Sequence, residues 1–153
     1  MSKQHNLNYR SDFDLLMQSG DIKLLRQYLE AKELSGIPNL LSYTFMDLCH
    51  SFKDNKEYRS CFAYILNQLE DRGRDLDFTN DRGQTALMLL SLTHSTGQMK
   101  VLLNKNVDIN KTDNNNENVL FYSLNSQGDF EAKLKMLMSF NIDLNDQNIS
   151  GVS

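Results

Sequence analysis

The residues able to do chemistry are few and scattered. Cys49 and His50 are adjacent, with Asp47 two positions ahead, and these are the residue types of an activated cysteine nucleophile. The spacing argues against that use. On a helix, neighbouring residues point about 100° apart, so Cys49 can face a core while His50 faces outward. Cys61 could join Cys49 and His50 around zinc, but the three follow no ligand spacing of a structural zinc site. His5 and His94 lie far from them in sequence. Gly73 and Gly83 read as turn glycines, since neither belongs to a glycine-rich loop opening a helix after a strand. The sequence therefore predicts no catalytic residue, no cofactor site and no metal site. Cys49 is expected in the core.

Bulk properties narrow the class. The chain has 153 residues, 40% of them hydrophobic, enough for a core. Its net charge of −4 counts against nucleic acid as a partner, because phosphate-binding domains are usually basic. No run of about 18 apolar residues is present, so no membrane insertion is expected. The first ten residues are polar, lack the apolar centre of a signal peptide, and are expected to be flexible. With only two cysteines, the expectation is a cytoplasmic protein with reduced thiols, the nucleus or a secreted effector being the alternatives. Arg72, Arg74 and Arg82 are interleaved with Glu70, Asp71, Asp75, Asp77 and Asp81, a mixture expected on a solvated face. Asparagine is abundant, with 17 residues. It reads as loop filling, because apolar periodicity continues on both sides of Asn114, Asn115 and Asn116.

The elements that would position a binding surface come from a repeat. Asn80-Asp81-Arg82-Gly83-Gln84-Thr85 aligns with Asp113-Asn114-Asn115-Asn116-Glu117-Asn118 and with the segment that starts at Asn148, at steps of 33 and 35 residues. Each begins with Asp or Asn and has Gly or Asn three places on, types that tolerate positive φ, which predicts a tight turn. A second marker keeps the same steps: Asp75-Leu76-Asp77, Asp108-Ile109-Asn110 and Asp143-Leu144-Asn145. Two markers in phase make a repeat architecture the leading expectation.

Between markers the spacing predicts helix pairs. Leu87, Leu89 and Leu90 mark one helix; Val101, Leu102 and Leu103 mark its partner after a break at Ser95-Thr96-Gly97. Leu120, Phe121 and Leu124 are followed in the same way by Leu134, Met136, Leu137 and Met138. Asn106 and Asn141 should stop the second helices in a left-handed conformation. Earlier in the chain, Ser11 and Asp14 form a candidate capping box ahead of Phe13, Leu16 and Met17. Gly20-Asp21 breaks that helix before Ile22, Leu24, Leu25, Tyr28 and Leu29. Phe45, Leu48, Cys49 and Phe52 precede Phe62, Ile65, Leu66 and Leu69, whose helix should end near Gly73. The first-helix anchors Phe13, Phe45, Leu87 and Leu120 are 32, 42 and 33 residues apart, so the second unit carries an insertion.

This pattern resembles the ankyrin repeat, whose sequence runs D-x-x-G-x-T-P-L-H-x-A-A and later V-x-x-L-L-x-x-G-A-D-V-N. Asn80, Gly83, Thr85 and Leu87 match its opening; Leu102, Leu103, Asp108, Ile109 and Asn110 match its close. Asp113, Leu120, Asp143, Leu144 and Asn145 match in the next unit, and Gly20-Asp21 matches the mid-repeat turn of the first. The chain departs from the pattern at Ala86 and Val119 (for proline), Met88 and Phe121 (for histidine), and Asn106 and Asn141 (for glycine). Leu90-Ser91 and Ser123-Leu124 stand in for the alanine pair.

The resemblance implies an all-α fold, an α-solenoid of helix-turn-helix pairs with short hairpin turns. It covers residues 11–153, as repeats at 11–40, 41–79, 80–112 and 113–147 with a partial one at 148–153. It also implies a non-enzymatic module that binds another protein through its concave face, with a regulatory or targeting segment of a larger enzyme or secreted effector as the alternative. The contact residues it implies are Asp81, Arg82, Gln84, Leu92, Thr93, Asn114, Asn115, Glu117, Asn125 and Ser126. Leu92 is the candidate apolar anchor. A monomer is expected, with self-association possible through its C-terminal edge. The sequence stops at Ser153 inside a fifth turn segment, without the polar cap a stack needs, so the array is expected to continue.

Overall fold

The computed structural model describes residues 13–33, 36, 39–126 and 130–142. Among them the ordered elements are helices: α1 (residues 13–19), α2 (Ile22–Glu33), α3 (Leu40–His50), α4 (Lys56–Asp71), α5 (Ala86–Ser91), α6 (Thr96–Leu103), α7 (Val119–Leu124) and α8 (Phe130–Ser139). A single antiparallel bridge joins Thr79 and Thr85. Helices α3 and α4, α5 and α6, and α7 and α8 pack as pairs. The pairs stack: α3 lies on α5 and α5 on α7 in one row, while α2 lies on α4 and α6 on α8 in the other. This is the all-α solenoid that the resemblance implies.

Several helices start or stop where the local chemistry supplies a partner for their end groups. Gly20, at φ +66°, ends α1, and Asp21 Oδ1 accepts from Leu24 N at 3.2 Å to open α2. Gly73, at φ +64°, closes α4, with Arg74 N donating to Leu69 O at 2.9 Å. Asn106 and Asn141 do the same for α6 and α8 at φ +62° and +65°, so asparagine fills the left-handed place that usually falls to glycine. The insertion in the second unit is helical: α4 has 16 residues where α6 has 8. The break between α5 and α6 lies earlier than expected, at residues 92–95. Ser95 ends it, and Thr96 and Gly97 already belong to α6. Ser11 of the candidate capping box and the markers from Asp143 onward lie outside the described residues.

The turns repeat atom for atom. Asn80 Oδ1 accepts from Arg82 N (2.9 Å) and Gln84 N (3.0 Å); Asp113 Oδ1 accepts from Asn115 N (2.8 Å) and Glu117 N (3.0 Å). The backbone closes identically, with Gly83 N donating to Asn80 O and Asn116 N donating to Asp113 O. Gly83 and Asn116 take the left-handed conformation at φ +75° and +60°. The second marker is equally regular: Asp75 Oδ1 accepts from Asp77 N, and Asp108 Oδ1 from Asn110 N.

Two features of the sequence alter without breaking this scheme. Thr85 caps α5 by accepting from Met88 N at 3.2 Å, and Thr85 N donates to Met88 Sδ at 3.4 Å, so methionine returns the bond that the histidine position would supply. Asn118 caps α7 by accepting from Leu120 N and Phe121 N. Neighbouring units are also tied directly. Asn114 N donates to Arg82 O and Asn114 Nδ2 to Asp81 O, both at 3.0 Å, while Asp108 N donates to Asp77 Oδ1 at 2.9 Å.

The core follows the predicted stripes. Leu25, Leu48, Cys49, Phe62, Ile65, Leu87, Leu90, Leu102 and Leu137 are all buried. Phe45, Phe52 and Phe62 pack ring against ring at 5.2 and 5.9 Å, fixing α3 on α4. Some residues assigned to apolar faces are exposed instead: Leu24, Val101, Leu124 and Met138. The repeat explains the last two. Leu124 corresponds to Ser91 and Met138 to Leu103, which are buried because α7 and α8 cover them; no described helix lies beyond α8.

Gly83 joins the turn to the stack, because a Cβ there would lie 2.5 Å from Asn114 Oδ1 and 2.9 Å from Asn114 N. Gly73→Ala is the control: it has the same backbone strain, but no atom lies within 4 Å of its Cβ position. Gly73→Ala should destabilise by about 1 kcal/mol and Gly83→Ala by about 2–4 kcal/mol in urea unfolding, the excess reporting the contact between units.

Candidate protein-binding surface

Between the turns Asp81–Gln84 and Asp113–Glu117 and the ends of α5 and α7 lies a groove of about 550 Å³. It gathers eight of the ten residues implied as contacts: Asp81, Arg82, Gln84, Leu92, Asn114, Asn115, Glu117 and Asn125. Thr93 lines the adjoining depression with Leu92, His50 and His94. Ser126 turns inward, where its hydroxyl donates to Ser123 O and accepts from Lys133 Nζ.

Many of the polar groups in the groove are already committed to the scaffold. Gln84 Nε2 donates to Tyr122 Oη at 3.0 Å, and Tyr122 Oη donates to Asp113 Oδ2 at 2.5 Å. Asn80 Nδ2 donates to Gln84 Oε1. Asn114 holds the preceding turn, and Asn125 Nδ2 donates to Phe121 O. Asp81, Arg82 and Glu117 make no side-chain hydrogen bond or ion pair among the described residues. Leu92 is half-buried rather than fully exposed, resting on the core cluster while its outer part lines the groove. Phe121 and Tyr122 were not among the expected contacts. Phe121 had a sequence signal, since it replaces the histidine of the repeat pattern.

Burial pushes the Tyr122 hydroxyl up to about 12, and its hydrogen bond to the Asp113 carboxylate acts in the same direction. Tyr122 is therefore protonated at neutral pH and serves as a donor, bridging the Gln84 turn to its own.

A buried lysine fixes the wall beside Leu92. Lys133 Nζ, on α8, donates to Ser91 O (2.8 Å), Thr93 O (2.7 Å) and Ser126 Oγ (2.8 Å). The two carbonyls flank Leu92, at the end of α5 where the helix dipole favours a cation. The signal for this was in the sequence: Lys133 lies four residues before Leu137 and so shares its inward face.

The chemical candidates are placed as their spacing requires. Cys49 is buried and His50 exposed. Burial raises the Cys49 thiol far above its ordinary value and pushes that of Cys61 up to about 11; Cys61 Sγ points at Met17 O. Both cysteines are free thiols. Among the described residues no three His, Cys, Asp or Glu side chains are grouped to hold a metal ion. Nor is any helix among them long and apolar enough to cross a membrane. Arg72 does more than sit on a solvated face: it pairs with Glu33 and links α4 to the end of α2.

A family model for ankyrin repeats (3 copies) matches residues 51–148, well over half of the chain. The chain belongs to the ankyrin-repeat family. No curated protein matches it. Ankyrin repeats are generally protein–protein interaction modules and typically non-catalytic. The match begins just after α3 and so omits the first three helices.

Two measurements probe how the ankyrin stack supports the groove. Tyr122→Phe should destabilise by about 1–2 kcal/mol, since it removes one donor and leaves Gln84 without its acceptor. A tyrosine whose folded value is raised stabilises fully below its unfolded value near 10 and loses that contribution as pH rises through about 12. The wild type should therefore lose stability between pH 10 and 12, and Tyr122→Phe should lose less over that window. Lys133→Met keeps the volume but abandons two carbonyls and a hydroxyl. Its urea midpoint should fall by the equivalent of about 2–4 kcal/mol.

Proposed function

We propose that this chain binds another protein through the groove between the Asp81–Gln84 and Asp113–Glu117 turns. One observation carries the reading: that groove collects uncommitted charged groups (Asp81, Arg82, Glu117) and part-exposed apolar ones (Leu92, Phe121) on a frame braced by hydrogen bonds from Gln84, Tyr122 and Asn114. A frame held this way loses little freedom on binding, which favours affinity. The two free, buried thiols support residence in a reducing compartment, the cytoplasm.

The test is a comparison of two variants. Asp81→Ala/Leu92→Ala/Glu117→Ala alters the groove, and Lys100→Ala/Lys135→Ala alters exposed positions on α6 and α8. With both folded by circular dichroism, the groove variant should lose the proteins that the wild type and the second variant retain in pull-downs. Equal retention by the groove variant would assign binding to another face.

A further inference from the structure

We infer that the groove recognises a protein segment presenting one lysine or arginine beside one apolar side chain. This rests on the proposal that the groove is the contact surface, and adds to it the chemistry of the partner.

The inference follows from what the groove has left to offer. The outer carbonyls of the first turn are already used, since Asp81 O and Arg82 O accept from Asn114. Asp113, buried, gives its carboxylate to Tyr122 Oη and two turn amides. At that turn recognition therefore falls to side chains. The uncommitted ones are two carboxylates, Asp81 and Glu117, against one guanidinium, Arg82. Leu92 and Phe121 supply the apolar lining. A cation between the two turns meets both carboxylates, whereas a carboxylate there meets an excess of like charge. Arg82, adjacent to Asp81, repels a second cation, so the preferred segment carries one positive charge rather than a basic run. The net charge of −4 draws such a segment toward the surface. The groove's volume lies within the range of about 300–1,000 Å³ that takes small ligands, which suits a short segment better than a whole domain face.

The probe is a set of fluorescein-labelled 12-residue peptides in a Gly/Ser/Gln background, each with one Arg and one Leu at separations of one to six residues. Matched sets carry Arg→Glu, Leu→Ser, or an added run of three arginines. Binding is read by fluorescence polarisation to the wild-type chain and to Asp81→Lys/Glu117→Lys, whose turn positions, exposed at Asp81 and half-buried at Glu117, lie outside the core cluster. At least one Arg/Leu spacing should bind the wild type, weaken about fivefold or more on Arg→Glu or Leu→Ser, and weaken with rising salt. The charge-reversed variant should instead prefer the Glu set. The three-arginine set should gain nothing. Equal or better binding of the Glu or three-arginine set to the wild type would overturn the assigned chemistry. If no peptide binds while the groove variant above does lose its proteins, this inference falls and the groove reading stands. If the groove variant loses nothing either, both fall.

Discussion

Asn80 Oδ1 and Asp113 Oδ1 each hold two backbone amides of the turn that follows, and much of the molecule is arranged around those four bonds. A turn of this kind leaves its outer carbonyls facing the next unit. Asn114 takes two of them, from Asp81 and Arg82. The helix caps follow within a few residues, so the direction in which α5 and α7 leave the turns is set by the same local geometry. A stack has few contacts between distant units. Its register therefore depends on repeated short-range bonds of this sort rather than on one large central core.

The consequence for binding is a surface whose stability and contact functions are interleaved. Gln84, Tyr122, Asn114 and Asn125 line the groove, yet each spends a polar atom on the scaffold. Lys133 extends this to the neighbouring helix pair, because its ammonium holds the carbonyls on both sides of Leu92. A substitution among these residues changes the frame as well as the contact. Asp81, Arg82 and Glu117 are different, since their side chains add charge to the groove without bracing it.

Asparagine has a structural use beyond loop filling. Asn39, Asn106, Asn116 and Asn141 are the described non-glycine residues with positive φ. Its short polar side chain tolerates the left-handed region better than other residues do. Asn39 takes that conformation immediately before α3, Asn116 within a turn, and Asn106 and Asn141 after α6 and α8. The chain thus meets the backbone demands of the repeat with one residue type where the family pattern uses another.

The periodic features were readable from sequence because their causes are local. The turn markers, the left-handed stops at Asn106 and Asn141, the glycine break at Gly20 and the outward His50 beside inward Cys49 each follow from a few neighbouring residues. The decisions left to tertiary structure involve residues about a repeat apart. Sequence spacing put Leu124 and Met138 with apolar faces, but burial needs a covering helix, and none of the described helices covers them. Leu92 was assigned to the surface, and its half-burial comes from packing on the core. Tyr122 meets Gln84 across 38 residues, and Lys133 reaches Ser91 across 42. Nothing local fixes those distances. The repeat and the turns are legible in the residues alone, because short-range hydrogen bonding dictates them. Only the stack decided which polar groups are spent on the frame and which remain for a partner, because that division depends on how adjacent units meet.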